Sequence, residues 1–523
     1  MTAGPSLSAR LRRPENLQRL ARGILLVFFL WLTGRFWHPY YGFTRFLQLD
    51  QSDAAVMLPE LREAPIYVYH YSGGYDGVAY AQLAAHPAAR DAALAQAVDS
   101  LPYRARRIFL SWIAYAAGGG DAVRAVWAYA ALNLVVWLGL AWLLAKIFPP
   151  HGWRNLVAWA GLLFSAGALH SVRLALTDLA ACTLLAAALW QAEHRRENQA
   201  VGFLGAAGLV RETALLGGLA LWPGFVRENR PANLTRLALA FAPLGLWLVY
   251  LKINLGPVMQ GMGNFSWPVI GWVEKLTSSL RELGHEPDTW LAFTTLLAFA
   301  SLTVQLIYIL RRWQPGDPWW RLGVIYGGLM LCLGTAVWAG HPGAATRILL
   351  PLSLAFNVLA VRRSAAAGWL LAGNLAVFSG VLVLWQVPHD AHEMAAGRAA
   401  RGAYVVHTDD RWYPAEYSRD KTWAWCATEG GMQVDFRPRT DGPANIRVAV
   451  RSITPRSLEI RQDNRVLWSG PISERVQWIE LPAVAVVHGR AQLELHSPAS
   501  AVRESADEKA RALGFAVYGV RVD

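Results

Sequence analysis

One polar stretch concentrates the groups able to do chemistry. It runs from His70 to Arg107, opening with His70-Tyr71-Ser72-Gly73-Gly74-Tyr75-Asp76-Gly77 and closing with Pro102-Tyr103-Arg104-Ala105-Arg106-Arg107. Asp76 stands between glycines, which let the backbone turn sharply and approach a ligand closely. A carboxylate placed there can take the proton from an attacking hydroxyl; the plain alternative is an Asp that only makes an Asx-turn. Arg104, Arg106 and Arg107 offer planar forks that pair bidentately with phosphate or pyrophosphate oxygens. Their plain alternative is anchoring to lipid headgroups. A base and an anion clamp on one side of a bilayer is the chemistry this spacing suggests.

The elements that must hold this stretch are apolar. Of 523 residues 54% are hydrophobic and only 16% charged, with 25 Trp, which excludes an ordinary soluble enzyme and points to a polytopic membrane protein. The net charge of +12 resides mostly in short connections between apolar runs, so it reads as topology rather than as a face for nucleic acid. Arg10, Arg12, Arg13, Arg19 and Arg22 precede the run Gly23 to Thr33, and no small-x-small cleavage site follows it. An uncleaved anchor with its basic end in the cytoplasm is expected.

Four uncharged runs, Ala125 to Ala145, Thr289 to Leu310, Leu322 to Gly340 and Ala365 to Pro388, approach or exceed the ~20 residues a bilayer requires. Shorter or interrupted runs are Leu156 to Leu169, Leu174 to Gln191, Val201 to Val210, Thr213 to Phe225, Leu237 to Leu251 and Ile348 to Val361. With Arg154, Arg195, Arg196, Arg227, Arg230, Arg311, Arg312, Arg362 and Arg363 in the cytoplasm, the count is about eleven spans, N-terminus in and C-terminus out. The insertion 40–107 then lies outside. Ile108 to Ala117 is too short to span and reads as a re-entrant or interfacial helix. A second outer loop, Asn254 to Asp288, carries Trp267 to Val273 and suits a helix at headgroup level or an ordinary connection. Arg173, Asp178, Arg211, Glu212, His341 and Arg347 fall near the outer helix ends, where a charge marks a functional site unless it is paired to fix packing.

After Pro388 the spanning runs stop. Period-two patterns at Ile446 to Val450, Leu458 to Ile460, Val476 to Leu481 and Ala491 to Leu495, with a last strand over Gly514 to Val522, predict an antiparallel β-sandwich over 389–523, placed outside. Trp412, Tyr413, Trp423 and Trp425 are read as core or interface aromatics in preference to sugar platforms. Cys182, Cys332 and Cys426 cannot build a disulfide framework.

The N-in anchor, the outer loop with Gly73-Gly74-Tyr75-Asp76-Gly77-x-x-Tyr80, the Tyr103-to-Arg107 cluster and the stretches around Arg173 to Asp178 and Arg211-Glu212-Thr213 resemble the GT-C superfamily of membrane glycosyltransferases, in particular bacterial members that build cell-surface glycopolymers. The likeness covers Arg10 to Pro388 and, more loosely, the tail. It implies a bacterial inner-membrane enzyme that moves a sugar, with inversion, from a polyprenyl-phosphate donor to a glycan, lipid or protein acceptor on the periplasmic face. Asp76 matches the loop carboxylate that acts as base. Arg104, Arg106, Arg107, Arg173, Arg211 and Arg347 are then expected on the donor phosphate, and His70, Tyr75, Tyr80, Asp178, Glu212 and His341 around the substrates. No cofactor is expected: several GT-C families carry two acidic residues in this loop, whereas Asp76 has no acidic neighbour, and one carboxylate is a poor divalent-cation site unless donor phosphates complete it. A transporter, flippase or assembly subunit for lipid-linked glycans would use the same arginines without reacting, and a polymerase of lipid-linked repeats would share the donor chemistry.

Overall fold

Apolar length dictates the first architecture. Among the described residues, six helices are long and apolar enough to cross a membrane: Pro14–Gly34, Ala122–Ile147, Trp153–Arg173, Arg230–Leu255, Thr289–Arg311 and Ala367–Trp385, with Glu212–Leu221 and Leu350–Arg362 as shorter apolar helices. The computed structural model describes residues 14–70, 72–223, 229–256, 262–285, 289–418, 421–505, 507 and 510–523. Arg10, Arg12, Arg13, Tyr71, Arg227 and parts of the 254–288 loop lie outside them. The helix Arg230–Leu255 leaves Leu234, Leu239, Phe241, Leu246, Val249 and Ile253 exposed. Such a surface is unfavourable in water and is matched by a hydrocarbon phase.

Several expected spans are broken, each where polar groups take over backbone hydrogen bonds. The run Leu322 to Gly340 does not continue as one helix. It ends at Cys332, where Leu333 turns extended and bridges Phe265, and the Gly334 amide donates to the Asn264 carbonyl. Ala365 to Pro388 keeps the length of a span, Ala367–Trp385, but turn residues at 373–375 interrupt it between Ala367–Ala372 and Ala376–Trp385. Between them the Gly373 carbonyl accepts from Ser301 at 2.7 Å and Gln305 at 2.6 Å, and Asn374 exchanges hydrogen bonds with Asn357 at 2.9 and 3.1 Å, which satisfies both buried amides. The run expected from Leu174 becomes helical only at Asp178, because residues 174–177 are irregular and Ala175 has a φ of 49°. Asn133 donates to the carbonyls of Ser171 and Leu176, and Tyr129 donates to that of Ala175, so a neighbouring helix supplies what the break removes. The segment Phe109–Ala117 is a nine-residue helix, too short to span. In the second loop Ile270–His285 is a helix whose inward face carries Gly271, Lys275 and Ser279 while Ile270, Val273 and Leu280 are exposed. An apolar face turned outward suits a headgroup-level helix.

The described residues divide into two units, one within 14–36 and 43–386, the other within 37–42 and 387–523. In the first, the 40–107 insertion contains a short parallel pair, β1 (Leu49–Asp50) with β2 (Val68–Tyr69). Among the described residues the second unit holds a short antiparallel pair, β13 (Val502–Arg503) with β14 (Ala512–Leu513), and two large antiparallel sheets. One orders β10 (Arg465–Ile472), β9 (Arg456–Gln462), β12 (Arg490–His496), β7 (Glu429–Arg437), β4 (Gly402–Thr408) and β3 (Glu393–Ala399); the other orders β11 (Gln477–Val486), β8 (Gly442–Ser452), β15 (Phe515–Val522), β6 (Lys421–Cys426) and β5 (Glu416–Ser418). Inward residues of both, among them Val406, Val434, Phe436, Ile446, Val448, Leu493 and Val517, share one core. The period-two runs fall in β8, β9, β11 and β12, where buried and exposed positions alternate, except that Val476 precedes β11 by one residue. Trp412 and Trp425 are buried and Trp423 stacks on Tyr518, so these aromatics pack the unit.

Candidate active site

The Gly-Gly-Tyr-Asp-Gly segment is set from below by a residue that sequence reading passed over. Asp50, buried at the end of β1, accepts from the Ser72 amide at 2.7 Å, the Ser72 hydroxyl at 3.1 Å and the Gly73 amide at 3.2 Å. It also caps the helix Gln51–Val56 through the Ser52 amide. The signal for it was present: an Asp directly before Gln51-Ser52-Asp53 is a helix N-cap pattern. Hydrogen bonds from Ser52 and then Ser72 outweigh burial and pull the Asp50 carboxyl down to about 2. Its folded value lies below its unfolded one, so the stability it contributes is complete above about pH 4 and is lost as pH falls toward 2. Thermal unfolding of the wild type from pH 5 to pH 2 should therefore lose a component that Asp50→Asn lacks.

Gly73 and Gly74 have φ of 73° and 66°, values that need glycine. Gly77 is there for a different reason: a Cβ at this position would collide with the Leu174 carbonyl oxygen. Gly77→Ala should cost about 1–3 kcal/mol by overpacking and shift the irregular segment that leads into Asp178. A lowered unfolding midpoint, with Gly23→Ala as an unhindered control, checks this.

Asp76 then opens the helix Asp76–Ala85, its side chain 31% exposed and paired with Arg104 at 2.8 Å. Arg104 also forks onto Asp99 at 3.0 and 2.8 Å, so this guanidinium is committed to carboxylates and does not line the cavity described next. Arg107 is buried and donates to Tyr80 at 2.8 Å, Glu212 at 3.1 Å and Tyr103 at 3.2 Å. Arg106 lies 4.0 Å from the other Glu212 oxygen. Arg347 donates to the Tyr75 hydroxyl at 2.6 Å and to Asp178 at 3.3 Å, while Arg211 pairs with the other Asp178 oxygen at 2.7 Å. Asp178, only 1% exposed, thus joins two arginines from different segments. The close pass of Gly167 against the Thr346 carbonyl leaves no room for a Cβ and sets the position of the Ala345–Ile348 turn that carries Arg347.

These groups surround one cavity of about 460 Å³. Asp76, Tyr103, Arg106, Arg107, Arg211, Glu212, Thr213, Asn264 and Arg347 form its polar side, and Phe265, Leu329, Leu333, Val337 and Ile348 form an apolar wall. Four guanidiniums face two carboxylates there, so the lining favours an anion, and the wall offers an adjacent surface for hydrocarbon. Tyr103 and Thr213 lie within the motifs singled out in the sequence but carried no role there, whereas Asn264 and the wall approach the site only through folding.

Other expected members lie elsewhere. Arg173 is buried between Phe36 and Tyr69, donates to the Arg45 carbonyl and the Tyr69 hydroxyl at 3.3 and 3.4 Å, and does not line the cavity. His70 is exposed and meets Gln51 at 3.1 Å. His341 meets Thr295 at 3.1 Å. Tyr80 and Asp178 stand behind the lining, holding arginines that reach it.

No family model matches the chain, and no curated protein does. Four chains of solved structures match it. One is the cryo-EM structure of the arabinosyltransferase EmbB from Mycobacterium smegmatis, with a TM-score of 0.25 and 11% identity, covering 76% of this chain and 57% of that one. This chain therefore spans less than two thirds of the length of EmbB, and a likeness of that depth leaves the site to stand on its own residues.

Proposed function

We propose that this protein is a GT-C-type membrane glycosyltransferase that moves a sugar, with inversion, from a polyprenyl-phosphate donor to a hydroxyl acceptor on the periplasmic face of the inner membrane. The observation that carries the reading is the single cavity in which Asp76, four arginines and an apolar wall meet. An acceptor oxygen attacks the anomeric carbon while the bond from that carbon to the donor phosphate oxygen breaks. The hydroxyl proton passes to Asp76. The departing phosphate gains charge, which Arg106, Arg107, Arg211 and Arg347 are placed to offset, and the lipid chain lies along Leu329, Leu333 and Val337. Arg104 holds the Asp76 carboxylate toward the cavity and acts as a positioning residue. No metal is needed for these steps, since the guanidiniums supply the positive charge.

Purified protein in lipid, offered labelled sugars on polyprenyl phosphates with a panel of glycan and lipid acceptors, should form a glycosidic product. Binding without transfer across that panel would turn the reading to a carrier or assembly role. One observation favours that second reading: Asp76 is held in an ion pair with Arg104, an arrangement that a purely structural carboxylate would also show.

A further inference from the structure

The second unit carries a cluster that the transfer chemistry does not use. Asp390, Glu393 and His407 each offer one donor atom, and all three lie within 4.8 Å of one another. Their placement follows from the fold. Glu393 and His407 are direct cross-strand partners at the start of β3 and the end of β4, so their side chains emerge on the same face. Asp390 accepts from the His392 amide through Oδ1 at 2.9 Å, an Asx-turn that leaves Oδ2 3.8 Å from His407 Nε2.

A fourth residue orients the set. The amides of Tyr40 and Tyr41 donate to His38 Nδ1 at 3.1 and 3.3 Å. Because an amide can only donate, Nδ1 is the acceptor, and neutral His38 carries its proton on Nε2. That proton points at Glu393 Oε1, 3.1 Å away, with His38 itself buried. This is the relation of an outer residue to a ligating carboxylate. His407 also borders an open hollow of about 310 Å³ lined by Asp409, Gln433, Gln492 and Glu494.

We infer that Asp390, Glu393 and His407 bind a divalent transition-metal ion in the β-unit, with His38 holding Glu393 in place. One imidazole nitrogen and two carboxylates suit Zn²⁺ or a neighbouring first-row ion, whereas Ca²⁺ prefers an all-oxygen shell. Tetrahedral Zn²⁺ at its usual bond lengths places donors about 3.4 Å apart, so they must draw in by roughly 1 to 1.5 Å. Side-chain rotations cover that distance.

The test uses the full chain in lipid nanodiscs, stripped with a chelator, dialysed against Zn²⁺ and assayed by elemental analysis, with Co²⁺ absorption as a second readout. The wild type should retain one Zn²⁺ per chain and show cobalt d–d bands, both lost in His407→Ala. His38→Ala should bind about 10 to 100-fold more weakly. Should His407→Ala not fold, Glu393→Gln keeps the shape and should also lose the ion. Equal metal content in wild type and either ligand variant, or Ca²⁺ binding as tightly as Zn²⁺, would overturn the assignment.

Discussion

Asp76→Asn should leave the protein able to hold a polyprenyl-phosphate donor while sugar transfer falls by about 10² to 10⁴-fold, the range a positioned base contributes. The substitution is close to isosteric, and Arg104 keeps its two contacts with Asp99, so the loop should stay in place. What is lost is the ability to accept a proton. In the proposed reaction donor binding falls to Arg106, Arg107, Arg211 and Arg347, which line the cavity and which the change does not touch. The measurement is a paired one: initial transfer rates, and binding of a non-reactive donor analogue, for wild type and variant in the same lipid. Loss of turnover with binding intact is the expected result. Equal turnover would remove Asp76 from the mechanism, and loss of binding alone would mark the carboxylate as part of a carrier's recognition site.

The loop that holds Asp76 was legible because its signals are local. Paired glycines mark a sharp turn, and Gly73 and Gly74 both adopt positive φ; the helix that opens at Asp76 carries no side-chain cap to announce it. The tasks of the arginines were not legible. Sequence makes Arg104 and Arg106 look alike, yet one is spent on Asp76 and Asp99 and the other faces the cavity. Asp99 lies only five residues before Arg104, so a local carboxylate competing for that guanidinium could have been weighed. The family resemblance put Arg173 on the donor phosphate; its partners here are the Arg45 carbonyl, the Tyr69 hydroxyl and aromatic faces that no spacing rule reveals.

Helix continuity failed for a related reason. The breaks at residues 174–177 and at Leu333 are satisfied by Tyr129 and Asn133 and by the 264–265 segment, each distant in sequence. An apolar run signals burial in lipid but not whether its backbone stays helical when a neighbour can take over its hydrogen bonds. The β-unit shows the complementary case. Alternation is read within a strand and placed β8, β9, β11 and β12, while the sheet order rests on pairings between distant strands and was out of reach.

Asp178→Ala should be strongly destabilising, costing about 3–5 kcal/mol, because removing one partner of a buried ionic group leaves the others uncompensated. Here two guanidiniums are left, Arg211 at 2.7 Å and Arg347 at 3.3 Å, around a carboxylate that is 1% exposed. The cost should fall when a cation is removed too: in a double-mutant cycle, Asp178→Leu with Arg211→Met should be less unstable than the sum of the single changes. Thermal unfolding in lipid, followed by loss of the monodisperse species, reads this directly. Transfer should fall as well, because Arg347 reaches the cavity from a side chain that Asp178 and Tyr75 hold between them. Arg347→Lys separates the two effects. It retains the charge beside Asp178, so stability should largely persist, but it lacks the fork that bridges Asp178 and Tyr75 while facing a phosphate. A variant stable yet slow in transfer would assign Arg347 to the donor, whereas an unchanged rate would confine Arg347 to packing and leave Arg106, Arg107 and Arg211 as the phosphate clamp.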